Sequence, residues 1–168
     1  MNYIHSYDSV LGKVVMASDG EALIGLWFEG QKYFASTLGS AYKEEKLPIF
    51  EQTDKWLTMY FDGCKPDFLP LICLKGTAFQ QMVWKLLLTI PYGKTATYKS
   101  LAERITDVTG KNMSSQAVGG AVSHNPLSII VPCHRIIGTN GSLTGYAGGL
   151  FRKTALLALE RADTQGRL

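Results

Sequence analysis

Cysteine is scarce in this chain. Only Cys64, Cys73 and Cys133 occur among its 168 residues. Three thiols cannot build a disulfide scaffold, and an odd count leaves one unpaired. Cys64 and Cys73 have no ligand-type neighbours at metal spacing, so no zinc site is expected there. Such sparse cysteine fits a reducing cytoplasm. Long apolar runs are missing too. No stretch approaches the ~18 residues of a membrane span. The opening MNYIHSYDS does not read as a signal peptide. Arginine is absent from residues 1–75.

That last absence belongs to a wider asymmetry. Residues 1–75 carry 7 Lys against 10 acids, a net of −3. Residues 76–168 carry 5 Lys and 5 Arg against 4 acids, a net of +6. An acidic first part and a basic second part point to a polyanion met by the second. The length allows one large or two small domains, and 46% hydrophobic residues suffice for a packed core.

Two apolar runs, Val14–Ser18 and Ala22–Phe28, are joined through Asp19-Gly20, which predicts a hairpin. Thr53 is expected to cap a helix that carries Trp56, Leu57, Tyr60 and Phe61 on one face and ends at Gly63. Lys65–Lys75 holds two prolines and no helical period, so it reads as a linker, with domains over 1–75 and 76–168. Beyond it, Thr77 and Gln80 form a capping box before Phe79, Val83, Leu86, Leu87 and Ile90. Pro91-Tyr92-Gly93 stops that helix. Thr97 opens a second one, with Leu101, Ala102 and Ile105 inward. Residues 106–112 read as a polar loop. Ser114 or Ser115 opens a third helix that runs to about His124. Leu127–Val131 reads as a short strand, and a last helix is expected from about Leu150 to Ala162.

The second and third of these helices resemble a helix-turn-helix. The third, from Ser114 to His124, is poor in bulk and holds Gly119-Gly120. Each glycine costs roughly 1 kcal/mol against alanine inside a helix. Close packing on another helix is one explanation. Close approach to a nucleic-acid backbone is the other, because a bulky helix does not fit a minor groove only ~6 Å wide. Then comes Ile129-Ile130-Val131-Pro132-Cys133-His134-Arg135, an apolar run that stops at a proline beside a thiol. The thiolate is the nucleophile, and neighbouring cationic or imidazole groups favour it. A buried, inert cysteine remains the alternative at this point.

Pro132-Cys133-His134-Arg135 followed by Gly145-Tyr146-Ala147-Gly148-Gly149 resembles the O6-alkylguanine-DNA alkyltransferase family. The resemblance extends through Gly76–Gln80, Val83-Trp84, Ile90–Gly93, Thr97-Tyr98, Ala117–Ala121 and Leu156–Glu160, and more weakly to Asp8–Gly12. It implies an α+β protein with a ribonuclease H-like N-terminal domain of sheet and helix. The C-terminal domain is then helical and of winged-helix type. The implied activity is repair of O6-alkylguanine, with O4-alkylthymine as a further substrate, in one irreversible transfer to the protein's own cysteine. It also implies a monomer without cofactor or metal, acting on double-stranded DNA from the minor groove with the base flipped out.

Residue by residue, the resemblance makes Cys133 the acceptor, His134 its base through a water, and Glu160 the group that orients His134. Tyr98 is the implied proton donor to the leaving guanine, and Asn125 buttresses the turn below the cysteine. Tyr146, Gly148, Val131 and Pro132 would hold the base. Ser115, Gln116, Ala117, Gly119, Gly120 and Lys111 would meet DNA. Arg135 and Trp84 read as structural. The main departure is Gln116, which stands where the family carries an arginine that fills the vacated stack. Zinc-binding relatives use N-terminal cysteines, and this chain has none before Cys64. A cysteine hydrolase is a rival reading, but adjacent residues of an extended chain point to opposite sides, which makes direct Cys133–His134 pairing awkward. A pure DNA-binding module is the other, and it has no use for the thiol.

Overall fold

The computed structural model describes residues 1–162. It divides into two compact units, Met1–Lys75 with Pro126–Ile130, and Gly76–Asn125 with the residues from Val131 onward.

The first unit is a four-stranded sheet with one helix. Strands β1 (Asn2–Ser9), β2 (Gly12–Ser18) and β3 (Leu23–Phe28) are antiparallel neighbours, and β4 (Tyr42–Glu44) pairs parallel to β1. The expected hairpin is β2–β3. Asp19 Oδ1 accepts from the amides of Glu21 and Ala22, both at 3.0 Å, and Gly20 takes φ 108°. A short acceptor and a residue free at positive φ are what a tight turn needs. All six residues of β3 are buried, as expected of a strand covered on both faces. Its outer edge is covered by chain rather than by a further strand. Leu23 exchanges backbone bonds of 2.8 Å with Leu71 and Cys73, and Leu26 bonds Pro126 and Ser128 at 2.8 and 2.9 Å.

Helix α1 spans Pro48–Phe61 and lies against β1, where Phe50 stacks on His5 at 5.5 Å. It starts six residues earlier than expected, with Leu47 and not Thr53 at the N-cap. Pro48 occupies the first turn, where the missing N–H costs nothing. Thr53 is therefore interior, and its hydroxyl donates to Ile49 O at 2.7 Å instead of capping. Gly63, at φ 83°, does close the helix. The strand expected over Leu127–Val131 does not form. Only Leu127 bridges to β3, and Ile129 adopts φ 69°, which turns the chain out of the extended region.

The second unit is mainly helical. Its elements are α2 (Ala78–Leu87), α3 (Tyr98–Thr109), α4 (Ser115–Ser123), α5 (Leu150–Leu159) and a parallel pair, β5 (Ala96–Thr97) with β6 (Ile136–Ile137). Both bonds of the Thr77–Gln80 capping box are present, and Thr97 with Ser100 makes a second one. The polar loop begins later than expected. Helix α3 runs on to Thr109 and ends on Gly110 at φ 72°, a left-handed cap that glycine adopts freely. Ser114 caps α4 through Ala117 N. Helix α5 ends at Leu159, three residues short of expectation, with Glu160 as its cap. Trp84 Nε1 donates to Ala121 O at 2.9 Å and ties α2 to α4. Among the described residues no helix is long and apolar enough to cross a membrane.

Candidate active site and nucleic-acid face

Cys133 opens a single 3-10 turn, Cys133–Arg135. Pro132 sets up that turn: at φ −82° and ψ 63° it lets Cys133 N bond Val131 O at 2.8 Å. Asn125 secures it from behind. Its Nδ2 donates to Val131 O at 2.8 Å and to Cys133 Sγ at 3.2 Å. One buried amide thus fixes both the backbone before the cysteine and the sulfur itself. Cys133 is only 5% exposed. Burial pushes its thiol pKa up, and the Asn125 hydrogen bond and the Lys153 charge oppose that only in part. The neighbours were expected to favour thiolate, but burial wins. The resting group is therefore a thiol.

The same turn directs two more side chains onto one carboxylate. His134 Nε2 lies 2.6 Å from Glu160 Oε2. Arg135 donates from Nε to Oε1 at 2.8 Å and from Nη2 to Oε2 at 3.2 Å, while its Nη1 reaches Ile90 O at 2.7 Å. Gly93 N adds a third donor at 3.0 Å. Burial alone would raise the Glu160 pKa. The hydrogen bonds and charges of His134 and Arg135 overcome it and hold the carboxyl well below the usual range. Burial, and the charges of Arg135 and Lys153, keep the His134 pKa down in spite of Glu160. The consistent state is an ionised Glu160, permanently paired by Arg135, beside a neutral imidazole. A neutral ring that donates Nε2–H to Glu160 presents Nδ1 as its basic nitrogen. Arg135 is therefore more than a packing residue. It holds the carboxylate in its charged state and fixes where it points.

Beside the sulfur is a small cavity of about 60 Å³, lined by Tyr98, Gly119, Val122, Ser123, Cys133, Gly145, Tyr146 and Ala147. Tyr98 enters from the start of α3, and its hydroxyl donates to Thr144 O at 3.1 Å. Burial, and then the nearby Cys133 sulfur, push its pKa up to about 12, so the phenol keeps its proton at neutral pH. Tyr146 lies in the facing wall. Val131, Pro132 and Gly148 do not line this pocket. Val131 and Pro132 are buried, one serving as acceptor for Asn125 and the other shaping the turn. Gly148 is buried too, and its carbonyl accepts from Arg152 at 3.0 Å. The wall comes instead from Gly119, Val122 and Ser123 of α4 and from Gly145 and Ala147. Helical spacing gives the signal for this, since positions 119, 122 and 123 share one face.

Ser115, Gln116 and Ala117 are exposed in the first turn of α4, and Gly120 is exposed one turn on. A Cβ at Gly120 would meet nothing within 4 Å, and one at Gly119 would touch only the Tyr98 ring at 3.8 Å. Helix packing therefore does not account for this glycine pair. Lys111 is exposed in the loop before α4. Lys153, which no sequence signal singled out, is fully buried behind Tyr98.

Two family patterns match the chain. The 6-O-methylguanine DNA methyltransferase ribonuclease-like domain covers residues 2–71, and the DNA binding domain of the same family covers residues 78–162. The methylated-DNA–protein-cysteine methyltransferase of Mycobacterium leprae is 42% identical over 96% of this chain and 93% of its own. That of Haemophilus influenzae is 41% identical over 95% and 86%. A crystal structure of Mycobacterium tuberculosis O6-methylguanine methyltransferase superposes with a TM-score of 0.83, at 42% identity over 96% and 93% of the two chains. A second, of the Mycobacterium tuberculosis protein in complex with DNA, gives 0.83 at 42% over 95% and 92%. Matched by both domains of one family and by relatives alike over almost their whole length, this chain belongs to the methylated-DNA–protein-cysteine methyltransferases, which repair DNA by moving an alkyl group onto a protein cysteine.

Proposed function

We propose that Cys133 is the acceptor and that it takes the alkyl group from O6 of a guanine flipped out of duplex DNA. The carrying observation is one short turn that binds the sulfur to Asn125 and the next residue, His134, to Glu160, beside a cavity lined by Tyr98 and Tyr146. The thiol proton passes through a water to His134 Nδ1. The sulfur attacks the alkyl carbon, a C–S bond forms, and the C–O6 bond breaks. The guanine leaves as an anion and receives a proton at a ring nitrogen from Tyr98. Tyr146 packs over the base. The C–S bond has no hydrolytic exit here, so each molecule acts once. The protein acts as a monomer in the cytoplasm and needs no cofactor.

The test is incubation with an O6-methylguanine oligonucleotide followed by peptide mass spectrometry. One methyl group per molecule, on the Cys133 peptide, is the expected result, and Cys133→Ala keeps DNA binding while losing transfer. Turnover beyond one equivalent, or methyl groups on Cys64 or Cys73 alone, overturns the assignment.

The helix α4 face meets the minor groove, with Ser115, Ala117, Gly119 and Gly120 allowing close approach and Lys111 reaching a phosphate. Gln116 fills the space that the base leaves. Its amide offers a donor and an acceptor to the orphaned cytosine, without the charge of arginine. Extrusion costs a few kcal/mol, so a wedge matters on duplex and not on single strands. Gln116→Ala is expected to slow duplex repair by about tenfold, the equivalent of ~1.4 kcal/mol, and to leave single-stranded repair unchanged. Equal duplex rates for Gln116→Ala and wild type remove the wedge.

A further inference from the structure

Among the described residues, Lys153 is the only lysine or arginine that is fully buried. Lysine is almost never fully buried unless paired. The ammonium here is met by backbone. Nζ donates to Thr144 O at 3.0 Å and to Gly145 O at 3.3 Å, and lies 5.9 Å from the centre of the Tyr98 ring. Thr144 O is the same atom that takes the Tyr98 hydroxyl. Gly145 begins the loop that supplies Tyr146 and Ala147 to the pocket. The neighbouring Arg152 holds the other end of that loop through Gly148 O at 3.0 Å. The first turn of α5 thus holds the loop over 144–148 at three carbonyls.

The cation is costly. Burial brings the Lys153 pKa down to about 8, with Cys133 opposing the fall. The folded value lies below the ordinary one, so the unfolded chain holds the proton more tightly. Stability therefore rises with pH through the window from about 8 upward, and the charge is carried at a cost at neutral pH. Methionine has similar length and no such cost. A charge retained against folding, beside a nucleophile, points to a use in the reaction.

We infer that Lys153 is a positioning residue of the acceptor site: its buried ammonium holds the loop at Thr144 and Gly145 that leads into the pocket wall, and it supplies the positive charge that acts on the Cys133 sulfur. The inference rests on alkyl transfer at Cys133, and it changes no bond in that reaction.

Lys153→Met and Lys153→Arg in the full chain test it. Iodoacetamide labelling of Cys133, read peptide by peptide across pH, reports the thiol without DNA. Transfer from an O6-methylguanine duplex reports the reaction. Lys153→Met is expected to move the labelling profile to higher pH and to slow transfer at least about tenfold, the ratio that one unit of thiol pKa represents. Lys153→Arg keeps the charge and brings the labelling profile back toward wild type. A lysine that only fills space moves the melting temperature and leaves the profile in place, which overturns the inference.

Wild type gives a second test that needs no variant. The groups facing Lys153 are Cys133, Tyr98 and His134. Tyr98 holds its proton to about pH 12, and the depressed His134 is already neutral. Transfer is therefore expected to fall above about pH 8 as Lys153 discharges, although more thiolate forms. A rate that climbs to a plateau instead counts against Lys153. Absence of methyl on Cys133 in wild type sinks the acceptor assignment, and the labelling profile still judges Lys153 on its own.

Discussion

Glu160→Gln slows alkyl transfer by about two to four orders of magnitude, the span that general-base assistance contributes. Burial favours a protonated Cys133, so under the proposed mechanism the rate depends on how well His134 accepts its proton. The imidazolium that forms is buried completely. Glu160, 2.6 Å away, offsets that charge, while Arg135 and Lys153 both oppose it. Glutamine keeps the shape and loses the charge. It also leaves the Arg135 guanidinium unpaired and lets the imidazole turn or change tautomer. The measurement is single-turnover methyl transfer against pH, with DNA affinity as the control. A variant that transfers within threefold of wild type removes His134 and Glu160 from the mechanism.

The same substitution changes stability. Breaking a buried ion pair costs about 3–5 kcal/mol, so the comparison needs a temperature at which both forms are folded. The sign with pH follows from the direction of the shift. Glu160 is held below its ordinary pKa in the folded protein. Its contribution is complete above the unfolded carboxylate value and disappears as pH falls toward the folded one. Acid therefore narrows the difference between wild type and Glu160→Gln. A gap in melting temperature that stays constant from pH 7 to pH 3 contradicts the pairing.

Local chemistry explains what was legible in the chain. Asp19-Gly20, the Thr77–Gln80 box and the caps at Thr97 and Ser114 each carry their own hydrogen bonds, and they sit where expected. Pro48 reads equally well as a loop or as the first helical residue, and only packing of Ile49 and Phe50 decides. Ile129 and Ile130 have strong strand propensity. The contacts of Leu127 and Ser128 with β3 override it, and the chain bends at Ile129. Strand β1 was invisible because its polar residues, such as His5 and Ser6, hide the alternation. In the site, motif order pointed to Cys133, His134, Glu160, Tyr98, Asn125 and Tyr146. It could not show that Arg135 shares a carboxylate with His134, since that depends on a helix end 25 positions away. Nor could it show Lys153, because a lysine in an amphipathic helix ordinarily faces water.

Asn125→Ala is expected to damage fold and chemistry together, by separable amounts. Its amide is buried and bonds two groups of buried residues, Val131 O and Cys133 Sγ. Removing it leaves the carbonyl unsatisfied, at about 1–3 kcal/mol. The sulfur loses a donor that favours its anion. A hydrogen bond to a charged group contributes about 1.5–3 kcal/mol, which is about ten- to a hundredfold in thiolate population. Transfer should fall by that factor and the iodoacetamide profile of Cys133 should move to higher pH. Asn125→Asp separates the two effects. It keeps the size of the side chain but sets an acceptor and a negative charge against the sulfur, so it should retain more stability than Asn125→Ala and less reactivity. Denaturant unfolding and thiol labelling on the same samples measure both. If Asn125→Ala unfolds more readily while its labelling profile stays that of wild type, the amide only supports the turn and has no part in activating the nucleophile.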